Sequence, residues 1–299
     1  MAERREVDYP HLLRASETPA NVGIFGILLG LLIFLFSMPL VARGLAAVGW
    51  LVAGRPGEAS EYVAWLLRYE HPWGIISGHM GLAVLIPISL GLVAFVHHES
   101  PGKLWSVEGR PRWGFGAASL LAAALIVGSL LVVQIRTSDH EFVWSPQENW
   151  QMFLLAVLIT SPIQAVAEEV FFRGYLMQAF GAMVESPWFG IVASAAVFAI
   201  LHAGQNLPLF AVRLAFGLVA GWLVWRTGGL EAGIAAHVVN NILAFTLAAF
   251  TGSIAEIKAT TEIGWSDAVW DLARFGIFAG VAVWLAWRMR ISRTAAASV

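Results

Sequence analysis

Within Ala165–Leu176, which reads AVAEEVFFRGYL, two adjacent glutamates and an arginine interrupt one of the most apolar parts of the chain. An ionised side chain at the centre of a bilayer costs roughly 2.5–3.5 kcal/mol on insertion scales, so such a cluster needs partners or work. On a helix, Glu169 and Arg173 are four residues apart and stack on one face, where they can pair. Glu168 points about 100° away around the helix and is left as the unpaired carboxylate, free to serve as a general base or acid. A helix-packing network without chemistry accounts for these three residues equally well.

Two further polar groups lie in apolar surroundings. Phe198-Ala-Ile-Leu-His202 places a histidine near the end of one span, and His237-Val-Val-Asn-Asn241 places His237 and Asn241 on one helix face at i and i+4. Singly, a helix histidine is explained by a hydrogen bond to a backbone carbonyl. As a set, a carboxylate, a histidine and a His/Asn donor pair are what water-driven attack on an amide requires: a group to take the proton and donors for the developing oxyanion. His79, Arg213 and Arg274 are read as packing, hydrogen-bonding or snorkelling residues, and Asn240, off the His237 face, carries less weight.

The elements that must position these residues are membrane spans. The 299 residues are 58% hydrophobic and 13% charged, with 14 Trp and 18 Phe, and several runs reach the roughly 20 apolar residues that cross a bilayer. The expected fold is an all-α polytopic membrane protein of eight transmembrane helices in a single domain over 1–299. The spans are expected at about Val22–Val41, Trp73–Val96, Trp113–Ile135, Trp150–Phe180, Trp188–His202, a sixth ending at Trp225, Leu230–Phe250 and Val269–Trp287. Leu45–Ala53 reads as an interfacial piece, Pro162 as a kink in the fourth span, and Gly26 and Gly30 as a GxxxG contact face. The first apolar run is too long for a signal peptide. Lys and Arg placement favours cytoplasmic termini in a plasma-membrane protein. Arg4, Arg5, Arg14, Lys103, Arg110, Arg112, Arg226, Arg288, Arg290 and Arg293 fall on the inner side, against Arg43, Arg55, Arg68, Arg136 and Lys258 outside.

EExxxR (Glu168, Glu169, Arg173), FxxxH (Phe198, His202) and HxxxN (His237, Asn241), in that order on successive spans, resemble the CAAX prenyl endopeptidase type II family and its bacterial Abi or CPBP-type relatives. The resemblance covers about residues 150–250. It implies a four-helix catalytic core whose site opens toward the cytoplasm. In that core Glu168 and His202 would activate water, His237 and Asn241 would hold the oxyanion, and Glu169 and Arg173 would organise the helix. The expected enzyme is a glutamate-type intramembrane endopeptidase acting on a hydrophobic peptide or membrane-protein substrate within the lipid bilayer.

Other chemistries fit less well. The absence of cysteine removes thiol catalysis, and a net charge of −2 gives no pull toward nucleic acid. His98-Glu99 and His140-Glu141 lack the second histidine of HExxH, and Lys103 and Lys258, in loops, do not suit a Ser/Lys dyad. No cofactor is expected, although Glu168, His202 and His237 are ligand types that suit zinc. A non-catalytic scaffold or bacteriocin-immunity factor, or a transporter, would also keep intramembrane Glu and His.

Overall fold

The computed structural model describes residues 6–14, 20–137 and 143–296. Arg4 and Arg5, and Asp139, His140 and Glu141 between the third and fourth expected spans, lie outside them. The described residues form an all-α bundle: α1 (Ala20–Val52), a short α2 (Ala59–Leu67), α3 (Pro72–Val96), α4 (Trp113–Thr137), α5 (Trp150–Gly181), α6 (Pro187–Leu201), α7 (Leu207–Thr227), α8 (Glu231–Thr251), a short α9 (Ile254–Ala259) and α10 (Trp265–Arg288). Large apolar side chains such as Phe25, Phe36, Leu40, Leu125 and Trp287 remain exposed around the bundle, as expected of a surface solvated by lipid tails rather than water.

An apolar helix stands at each of the eight expected places, and seven are long and apolar enough to cross a membrane. The exception is α6, whose 15 residues reach only about 22 Å. Leu45–Ala53 is not a separate interfacial piece: residues through Val52 continue α1, which spans 33 residues with Pro39 inside it. Gly26 and Gly30 open the face of α1 on which Tyr175, Phe171 and Leu92 pack, and a Cβ at Gly30 would come within 2.7 Å of Leu92. Pro162 lies within the α-helical part of α5, Trp150–Glu169; the change in backbone geometry comes later, as a π-helical stretch over Val170–Leu176. Single-turn π segments recur at functional sites, and this one begins immediately after the paired glutamates.

Short strands β1 (Glu6–Asp8) and β2 (Thr294–Ala296) pair antiparallel, Val7 opposite Ala295, and bring both ends of the chain to one face. Several segments close that face. The Tyr9 hydroxyl donates to the Leu104 carbonyl, Trp225 donates its indole N–H to Asp8 at 2.9 Å, and Arg112 grips the start of α8 through Glu231 at 2.5–2.9 Å. On the opposite face, Ser145 and Gln147 bond the end of α8, and Asn206 ties the α6–α7 turn to Thr261 and Ile263.

Candidate active site

Four helices bring the motif residues together. Glu168, Glu169 and Arg173 project from α5, His202 caps the C-terminal end of α6, Phe216 comes from α7, and His237 and Asn241 come from α8. Contact between α5 and α8 depends on how deeply α8 begins. A Cβ built on Gly174 would lie 3.6 Å from the Leu230 side chain, so the residue preceding α8 is level with Gly174. Glu168 is six residues back along α5 and His237 seven residues forward along the antiparallel α8, which is about 9 and 10 Å in the same direction. Their depths therefore match without a kink or re-entrant segment.

The two glutamates have distinct surroundings. Glu169 is fully buried, and one of its carboxylate oxygens accepts from both Arg173 Nη1 at 3.0 Å and His237 Nδ1 at 2.9 Å. Its other oxygen faces Gly233, where a Cβ would stand 3.1 Å away, a tight contact that would push on the carboxylate. The Arg173 guanidinium, also fully buried, lies over the rings of Phe198 and Phe216, 4.2 and 5.1 Å from their centroids. These aromatic faces partly replace lost hydration. Glu168 instead lines a cavity, with one oxygen 3.4 Å from His237 Nε2.

The cavity has a volume of about 440 Å³, and Glu168, His202, His237 and Asn241 all line it. His202 Nδ1 donates to the Phe198 carbonyl at 2.7 Å, which leaves Nε2 of the neutral ring as a proton acceptor. No direct hydrogen bond or ion pair joins His202 to Glu168 among the described residues. His237 stands beside Glu168 rather than across from it. Asn241 donates to Gln164 at 2.8 Å, leaving a second amide N–H for another acceptor. Among the described residues, no three His, Cys, Asp or Glu side chains are grouped to hold a metal ion.

Several cavity residues were not singled out by their sequence motifs. His79 donates to Thr160 Oγ1 at 2.8 Å, because that hydroxyl already gives its proton to Ala156. Gln164, Tyr69, Asn240, Arg213 and Lys258 also line the wall. Gln164 was within reach of sequence reasoning, since it precedes Glu168 by four residues and shares its helix face. Tyr69, from the α2–α3 turn, and Lys258, from α9 rather than the loop expected for it, carry no such signal. The Lys258 ammonium lies 5.1 Å from the centre of the Tyr69 ring, and desolvation lowers its pKa while the negative charge of Glu168 opposes the shift. Arg274, given no role from sequence, pairs with Asp271 and donates to Gln134.

The mouth lies on the face opposite the chain termini. Tyr69, Leu209, Lys258, Thr260 and Ile263 reach the cavity from the α2–α3 turn, the start of α7 and the α8–α10 connection. Two expectations therefore conflict: the site cannot open toward the cytoplasm while both termini lie there.

Residues 150–243 match a family model described as type II CAAX prenyl endopeptidase Rce1-like. The chain is 32% identical over 173 residues to the uncharacterized protein YyaK of Bacillus subtilis (strain 168), a match covering 52% of this chain and 58% of that protein. The chain thus matches less than two thirds of that relative's length. No solved structure gives a significant match.

Proposed function

We propose that this membrane protein, whose residues 150–243 match the model of the Rce1-like type II CAAX prenyl endopeptidases, hydrolyses peptide bonds by using Glu168 to activate a water molecule. The observation that carries the reading is the division between the glutamates. Glu169 is committed to Arg173 and His237, whereas Glu168 faces a 440 Å³ cavity shared with His202 and Asn241. A purely structural cluster has no need to turn one carboxylate toward open space.

In this mechanism, water sits between Glu168 and His202 Nε2. As its oxygen attacks the scissile carbonyl carbon, its proton passes to Glu168. The carbonyl oxygen becomes an oxyanion held by an Asn241 N–H and by the Nε2–H of an imidazolium His237, whose Nδ1–H is given to Glu169. Glu169 fixes His237 through Nδ1 and leaves Nε2 facing the reaction, while Gln164 orients Asn241. The proton then moves to the departing amine as the C–N bond breaks. A hydrophobic peptide or a segment of another membrane protein is the substrate class. Apolar walls from Phe198, Val212, Phe216 and Phe245 support that choice.

The test is cleavage of hydrophobic fluorogenic peptides by purified protein in detergent. Asn241→Ala and His202→Ala each lower kcat on the order of 10²–10³-fold while the protein still elutes as a folded species. Turnover persists after exhaustive chelation with EDTA. Activity abolished by EDTA and restored by zinc contradicts the metal-free mechanism. Undiminished cleavage in both variants contradicts the site.

A further inference from the structure

We propose that this site works from the non-cytoplasmic side of the membrane, on a peptide segment that an exported or membrane-anchored protein displays there. The inference rests on the protease reading for the chemistry, but its topological half stands on independent observations.

The cavity opens on the face that carries the α2–α3 turn, the α6–α7 turn and the segment from Gly252 to Gly264. A second cavity of about 540 Å³, bounded by α4, α8, α9 and α10, shares Asn240, Ala244 and Ile257 with the first and reaches the same face near Thr251, Ser253 and Asp267. Both cavities therefore meet beneath α9, away from the β1–β2 pair. Among the described residues, the face bearing the termini is closely packed by contrast. Tyr9, Leu13, Leu104 and Leu230 are almost wholly buried there, at 0–1% exposure, and Arg112 bonds the start of α8, the Thr227 carbonyl and Ser292.

Charge sets the orientation. Of the ten lysines and arginines assigned to the terminal side, all but Arg4 and Arg5 lie among the described residues, giving eight on the closed face against five on the open one. Cytoplasmic loops carry the excess of Lys and Arg, so the closed, terminal face lies in the cytoplasm and the mouth opens away from it. Lys258, already among the five, and Arg213 line the cavity wall; counting Arg213 with the open face leaves eight against six.

The absence of cysteine makes the test direct. Glu262→Cys places a thiol on the exposed α9–α10 connection, and Glu185→Cys places one on the exposed α5–α6 turn. Neither change alters the Lys and Arg count. Intact bacterial cells expressing each variant are treated with a membrane-impermeant polyethylene-glycol maleimide, before and after permeabilisation. The Glu262→Cys protein takes up one adduct and shifts on a gel in intact cells, whereas the Glu185→Cys protein shifts only after permeabilisation. The reverse pattern, or equal labelling of both in intact cells, overturns the proposal. This readout needs no turnover, so an inverted pattern leaves the protease reading standing. Outward labelling combined with a catalytically inert purified protein defeats the protease reading alone.

Discussion

Arg173 is the residue on which the cluster's charge balance depends. It meets Glu169 at 3.0 Å and lies over two aromatic rings, with no exposure to solvent. Replacing a buried pair with apolar groups can be neutral, but removing one partner strands a charge and costs about 3–5 kcal/mol. Arg173→Met is therefore expected to lower thermal stability in detergent by that order, measured from the unfolding midpoint and enthalpy. Arg173→Lys keeps the charge but loses the flat guanidinium over Phe198 and Phe216, and its stability falls between the two. The i, i+4 spacing made this pair legible in the sequence. What it did not reveal was the third partner: His237, 64 residues beyond Arg173, binds the same Glu169 oxygen from another helix.

At the scale of elements, α8 carries both donors, and its starting depth decides whether they reach α5. That depth is held by Glu231 at its first turn, where Arg112 binds through its backbone N–H, Nε and Nη2. Negative charge is favoured at a helix N-terminus, and the pair is almost fully buried, with side-chain exposures of 6% and 8%. Arg112→Met, leaving the buried Glu231 carboxylate without its guanidinium and with only the backbone N–H of residue 112, is expected to destabilise the protein by about 3–5 kcal/mol, and the double change Arg112→Met/Glu231→Leu to recover most of that. Thermal unfolding of both proteins measures the difference. If the double variant is no better than the single, lost packing rather than a stranded carboxylate explains the cost. None of this was legible beforehand, because the partners are 119 residues apart and neither belongs to a chemical motif. The π-helical stretch over Val170–Leu176 was equally hidden: it depends on packing around a sequence that reads as ordinary helix.

For the whole molecule, composition disclosed the class of fold and the places of the apolar helices. Long runs without charge have few alternatives to a membrane helix. The less legible features depend on how helices tilt and where turns sink. Helix α6 is too short to cross alone, and the Leu45–Ala53 stretch continues α1. The two-sidedness of the bundle was also concealed. The family resemblance grouped Glu168 with His202, and i, i+4 spacing grouped His237 with Asn241, but only the path of the chain sets their cavity opposite the termini. Charge bias and cavity direction together turn a statement about motifs into one about which side of the membrane supplies the substrate.

The central claim is that the cavity-facing carboxylate activates water while its neighbour serves structure. The most direct measurement compares single-turnover cleavage rates of wild-type and Glu168→Gln protein, with the thermal midpoint of each. Glutamine keeps the shape and loses the basicity, so the account predicts a rate loss on the order of 10²–10⁴-fold with little change in the midpoint. A Glu168→Gln protein that cleaves at the wild-type rate, or that loses cleavage only because it no longer folds, contradicts that assignment.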